Sequence, residues 1–391
     1  MHTLPLEILQ QIFSLICTDG GYTGCSLSRT SKAIRAASWT ARFHTVSLIA
    51  YPSRLESFTA LYERACDPRL GTTPRVAHLH LTIPSNAALI ARGGVARVMI
   101  SMLPRMERSR TPSPLSSDVE SGSDSENNVR EDEHDSHKPQ RISYTPSYIA
   151  AARALVRLVA PNLETLVLQF GFAAAERDAK PLSFIDRPFP RLREFTVLGL
   201  HRLREVLVHG EDLEGVPVLF PAVTHLHLVR KDLCVWPYDD LALLETHAPN
   251  VTHLRSTCFS SLGGRLRASL ALGLVSSLSQ MLGASLAASM GIARESTDDN
   301  MAFDGERPAY ANLRHIILQP EIFPAAAHQR LIQESIEHLE GACRVRGVHL
   351  KVLEPGSQTY GDWSRRAWDE WEERLNGGEG CWKELGEKIW R

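Results

Sequence analysis

The chain has little that marks a catalyst, a nucleic-acid binder or a secreted protein. Lysine and arginine total 43 against 45 aspartates and glutamates, a formal net charge of -2, so no general field attracts nucleic acid. The seven cysteines (17, 25, 66, 234, 258, 343, 381) are odd in number and scattered, without a short pair. That usage suits a reducing compartment and offers neither a disulfide framework nor a zinc site. The opening residues hold Glu7 and lack a basic stretch ahead of an apolar core, so a secretory signal is not expected. Gly-x-Ser-x-Gly, a phosphate-cradling glycine loop ending in Lys-Ser or Lys-Thr, and His-Glu-x-x-His are all missing. Gly377-Gly378-Glu379-Gly380 comes after a helical stretch and lacks the strand–turn–helix setting of a nucleotide site. The expectation is a protein that is not an enzyme and carries no cofactor and no metal.

Long apolar runs are also scarce. Ala268 to Ala293 holds no charged residue, and about 20 apolar residues suffice to cross a bilayer. Seven polar residues dilute it, Ser269, Ser276, Ser277, Ser279, Gln280, Ser285 and Ser289, and it falls between two copies of a repeated pattern. The reading is a packed helix or a loose insertion near 263–300, with no membrane contact.

What is present is that repeat: apolar, two residues, apolar, one residue, apolar. It occurs at Val76–Leu79–Leu81, Leu163–Leu166–Leu168, Leu192–Phe195–Val197, Val223–Leu226–Leu228, Leu313–Ile316–Leu318 and Val345–Val348–Leu350, with a weaker copy at Val251–Leu254. Successive starts at 163, 192, 223 and 251 lie 28 to 31 residues apart. A period of this size marks units that complete their core by stacking on neighbours. Alternation within each copy suits a short strand with one face buried. Helical stretches lie between the strands at 149–159, 238–246 and 329–340.

The first fifty residues differ. Leu4 to Ile16 reads as a helix, with Thr3 available as cap, Pro5 in the first turn and Glu7 near the free N–H groups. Ile8, Ile12 and Leu15 form one stripe, with Leu9, Phe13 and Ile16 beside it, more apolar surface than four turns usefully bury on one side. Asp19-Gly20-Gly21 ends it, and a second helical stretch runs from Leu27 to Ala37.

This opening resembles an F-box, through Leu4, Pro5, Glu7, Ile8, Leu9, Ile12 and Phe13, with a looser match at Leu27, Ser31 and Lys32 over roughly residues 1–45. The resemblance implies a three-helix module that binds the Skp1 adaptor of an SCF-type cullin–RING ubiquitin ligase, through Leu4, Pro5, Ile8, Ile12 and Leu27. The alternative is that these residues only join the core of the repeats as an N-terminal cap. The repeats resemble the divergent leucine-rich repeats that commonly follow an F-box in fungal proteins. The fold class expected is therefore α/β: an F-box-like module at 1–45, then an irregular leucine-rich-repeat-like solenoid. Its first units occupy 46–107 and its main part 146–355. Polar strand residues would face a protein client: Thr165, Glu194, Thr196, His225, His227, His253, Arg255, Arg314 and Arg346. His78/His80 and His225/His227, two apart on one strand, point the same way, but no Cys, Asp or Glu alternates with them to complete a metal site.

Residues 108–145 are acidic and rich in Ser and Pro, with almost no apolar residue, and should not order themselves. Thr111 and Ser113 precede prolines, and Ser117, Ser121 and Ser123 have an acid three residues later, so all five are candidate phosphorylation sites. Residues 356–391 hold five of the seven tryptophans; a helix there carries Trp368, Trp371 and Leu375 on one face and is expected to cap the open end of the solenoid. The function expected is a substrate-recruiting adaptor subunit of the ligase, cytoplasmic or nuclear, with a Skp1-like adaptor and a protein client as partners. A scaffold with no ligase is the alternative.

Overall fold

The computed structural model describes residues 4–66, 74–84, 146–171, 183–199, 207, 218–229, 244–259, 310–320, 326–355 and 360–385. The acidic segment with Thr111, Ser113, Ser117, Ser121 and Ser123, and the apolar run at 268–293, lie outside them.

Eight strands form one all-parallel sheet in sequence order: β1 (Thr45–Ile49), β2 (His78–Ile83), β3 (Thr165–Phe170), β4 (Glu194–Leu198), β5 (His225–Val229), β6 (His253–Phe259), β7 (His315–Pro320) and β8 (His349–Val352). Register runs straight across. Val46, Leu79, Leu166, Phe195, Leu226, Leu254, Ile316 and Leu350 are neighbours in one row, and Leu48, Leu81, Leu168, Val197, Leu228, Ser256, Leu318 and Val352 in another. These rows share one face, because strand side chains alternate. Together with the apolar residue three positions ahead of the first row in β1 to β7, most of them form the main core.

Two copies of the repeat differ in three dimensions from their spacing in sequence. Phe43–Val46–Leu48 is a further copy, with Phe43 and Val46 buried. At β8 the pattern lies two residues later than the spacing suggests: Leu350 pairs with Ile316, while Val345 is 71% exposed at a helix end.

The expected module-plus-solenoid architecture is corrected. The fold is a single parallel α/β sheet with few helices. Among the described residues, helices of more than one turn connect β1 to β2 (α4, Pro52–Ala65), β2 to β3 (α5, Pro146–Val159) and β7 to β8 (α6, Ala326–Arg346), but none of the four central connections. There the layer over the sheet includes Phe184, Ile185, Phe189, Leu219 and Phe220 in irregular backbone. Pro188, Pro190, Pro217 and Pro221 flank those residues in sequence, and proline lacks the N–H that a helix interior needs.

The first residues do not form a separate three-helix module either. Helices α1 (Leu6–Ile16), α2 (Tyr22–Thr30) and α3 (Lys32–Ala37) are short and run directly into the sheet edge. Ser31 divides what reads as one helix in sequence, its hydroxyl accepting from the Ile34 N–H, and the Asp19 carboxylate caps α2 by accepting from the Thr23 N–H. The Gly20 carbonyl accepts a hydrogen bond from the N–H of the β1 residue Ser47. A Cβ on Gly20 would stand 2.9 Å from the Trp368 ring, so this turn needs glycine for space as well as for its φ of 70°.

The tryptophan-rich helix α7 (Tyr360–Leu375) is not an end cap. With the 3-10 turn Gly380–Leu385 it lies as a strap across the second face of the sheet, touching strands from β2 to β7.

Candidate functional site

Two surfaces concentrate the unusual features. The first is the outer face of α1. Phe13 and Cys17 turn inward and pack with Ala37 and Ala41, and Leu9, Leu27 and Ile34 close that small cluster. The rest of the helix's apolar content faces outward. Leu4 is 45% exposed, Ile8 41%, Ile12 39% and Leu15 76%, and Leu6 and Ile16 are exposed beside them. Pro5, exposed, is the helix's N-terminal boundary. The structure thus gathers Leu4, Pro5, Ile8 and Ile12 on one open patch. Leu27 belongs to the packing underneath and not to the patch.

The second surface is the polar face of the sheet. Its first row is Thr45, His78, Thr165, Glu194, His225, His253, His315 and His349, and the row two residues on is Ser47, His80, Val167, Thr196, His227, Arg255, Ile317 and Lys351. Most of the residues expected to meet a client therefore share one face. They are covered by the strap. Glu194, Thr196, His225, His227 and Arg255 are buried, Thr165 and His253 half-buried, while Arg314 is exposed and Arg346 half-buried toward the sheet's last strands.

The strap is held by apolar seats and by ionic hydrogen bonds. Val167, Leu198 and Val229 receive Trp363, Ala367 and Trp371, and Ile317 receives Cys381 and Trp382. Glu194 accepts from Arg374 Nε at 3.0 Å and from the Trp382 indole N–H at 3.0 Å. Arg255, fully buried, donates to the Cys381 carbonyl and lies 3.5 Å from Glu370 Oε1, which also accepts from Arg366 Nε at 2.8 Å. The Trp371 indole donates to Thr165 Oγ1 at 3.3 Å.

The histidines are cofacial. The His225 and His253 rings lie 4.2 Å apart with planes within 7°, and His253 and His315 4.6 Å apart within 9°. Trp382 meets His225 edge-on at 5.0 Å. Burial pushes the His78 imidazole down to about 3, with His44 adding to it. The same cause takes His80 to about 4. His225 falls to about 3 through burial and then the charges of His253, Arg374 and His315, and His227 is held well below its ordinary value by burial and Arg255. These rings are neutral at neutral pH.

His227, Glu370 and Cys381 bring ligand atoms within 4.8 Å of one another, a grouping invisible in sequence because two members come from the strap. The Arg255 guanidinium already occupies that charge environment, and burial keeps the Cys381 thiol well above its ordinary pKa. A cation would have to displace Arg255 and deprotonate the thiol. A cleft of about 220 Å³ opens at the strap's end between Glu164, Arg193 and Arg374, smaller than the roughly 300–1,000 Å³ of sites for organic ligands.

Nothing in these arrangements positively indicates an enzyme, and a parallel α/β sheet is compatible with catalysis or binding alike. Among the described residues no helix is long and apolar enough to cross a membrane. Comparison with protein-family models, with curated proteins and with solved structures gives no match to this chain.

Proposed function

We propose that the chain is a substrate-recruiting adaptor subunit of an SCF-type cullin–RING ubiquitin ligase, and that a Skp1-like adaptor docks on the outer face of α1. The observation that carries this reading is the open apolar patch of Leu4, Ile8, Ile12 and Leu15, in the segment that resembles an F-box opening. A single exposed leucine is ordinary, but a contiguous apolar face on one helix marks a surface meant to be covered. Fully burying an apolar side chain of this size from water contributes about 1.5–3 kcal/mol, and docking gains the part of that belonging to the area still exposed, less than half for Leu4, Ile8 and Ile12 and most of it for Leu15. Four of them along one helix and its entry supply a binding core with the depleted charge expected of an interface centre.

The mechanism is positional. The adaptor fixes this chain to the ligase, a protein client binds elsewhere on it, and the client's lysine meets the ubiquitin donor at raised effective concentration. The chemistry lies in other subunits, and the setting is the cytoplasm or nucleus. Co-purification with Skp1 tests the reading. A stoichiometric complex is expected, lost in the Ile8→Asp/Ile12→Asp double variant with its helical content unchanged. Absence of any complex with the wild-type chain leaves a scaffold without a ligase as the function.

A further inference from the structure

The two faces of the sheet are covered by different chemistry. On the core face the rows are apolar almost throughout and the cover is helices and aromatic loops. On the other face the strap meets Glu194, His225, His227, Arg255 and Gln319, and its own contribution is largely tryptophan and arginine: Trp363, Trp371, Trp382, Arg366 and Arg374. Tryptophan and arginine seated in desolvated pockets are the composition of a protein–protein hot spot, not of a domain core. Trp382 is fully buried and its one polar side-chain atom is matched by Glu194.

The strap's fit is incomplete. Arg255 Nε and Trp363 Nε1 are buried at this seam with no hydrogen-bond partner among the described residues. Each such atom opposes the seated state, since it has lost water and gained nothing. The strap is joined to β8 through the short stretch from Leu353 to Thr359. A tether of that length holds it at an effective concentration on the order of millimolar, enough to keep an imperfect ligand in place.

We propose that residues 360–385 are a tethered pseudo-ligand on a protein-docking face, and that the client which fits there is a peptide segment presenting a tryptophan beside an arginine. Glu194 accepts that pair, the seat of Val167, Leu198 and Val229 takes a second aromatic residue, and Arg255 takes a carboxylate. The client displaces the strap by pairing Arg255 Nε, the atom of the sheet face that the strap leaves without an acceptor. This rests on the recruiting-subunit reading for its purpose, though the face itself does not.

The test uses the full chain, a strap-loosening variant Arg374→Glu/Trp382→Ala, and a fluorescent synthetic peptide of residues 360–385 as probe. Hydrogen exchange in the strap of the variant should rise, and the variant should bind the peptide roughly tenfold or more tightly than the wild-type chain, whose face is occupied. A peptide carrying Arg374→Glu should prefer a Glu194→Lys chain over the Arg374→Glu/Trp382→Ala chain, which pins the site. Three results overturn the proposal: a released strap with no peptide binding, equal binding to wild type and variant, or loss of cooperative folding in both variants, which makes the strap core. Skp1 binding is measured on the same samples. Its absence with peptide binding retained removes the ligase reading and leaves the docking face.

Discussion

Glu194 accepts from two donors on the strap, Arg374 and Trp382, in a site where both members of the ion pair are 9% exposed. Removing the carboxylate leaves a cation without its counter-charge in a desolvated place. Glu194→Ala should therefore lower unfolding free energy by about 3–5 kcal/mol, read from urea denaturation. Glu194→Gln, which keeps an acceptor for the indole, should lower it by less. Arg255 is a second such point. Its substitution by alanine strands the Cys381 carbonyl, while Glu370 keeps Arg366. The buried histidines give the face a pH dependence. Their pKa values lie below the ordinary 6.5 in the folded chain, so the native state binds fewer protons than the unfolded one. Stability is full above about pH 6.5 and falls as pH drops toward 4 and 3, because burial disfavours the charged imidazoles, and at His225 the neighbouring His253 adds to it. The melting temperature should decline steeply over that window. In a His225→Gln variant the decline should be shallower, and an unchanged slope would mean other groups set it.

Among the elements, the strands are the most legible in sequence. The apolar spacing at Leu79–Leu81, Leu166–Leu168, Phe195–Val197 and Leu226–Leu228 places core residues at neighbouring register positions, since period two is a strong signal when one face is buried. Phe43–Val46–Leu48 escapes the pattern because the same residues also suit the end of a helical opening. Val345–Val348–Leu350 is out of alignment because helical and strand apolar spacings meet at Gly347. The helices read at 149–159 and 329–340 lie within α5 and α6, while most of the one read at 238–246 lies outside the described residues, with 244–247 helical. The patch on α1 is half legible: the stripe of Ile8, Ile12 and Leu15 is visible in sequence, but its exposure and the inward packing of Leu27 depend on neighbours that periodicity does not name. For α1 the prediction is a separation of effects. Leu15→Asp, at a position 76% exposed, should shift the melting temperature little while weakening Skp1 binding, because the native side chain contributes little buried area in the free chain.

For the molecule as a whole, the position of the strap is the least legible feature. Trp368, Trp371 and Leu375 on one helix face announce burial but not the partner surface, and closing the sheet's end satisfies the same apolar demand as crossing its polar face. Long-range pairing decides between them, Arg374 with Glu194 and Arg255 with Glu370, across more than a hundred residues of sequence. The described residues then present an open apolar face on α1 and a polar sheet face closed by the chain's own strap.

Hydrogen exchange across residues 4–16, with and without a several-fold molar excess of Skp1, is the decisive measurement for docking on α1. Strong protection of that stretch, centred on Ile8 and Ile12, is expected, with little change in the sheet. Exchange across α1 that is identical in the presence and absence of Skp1 would refute it.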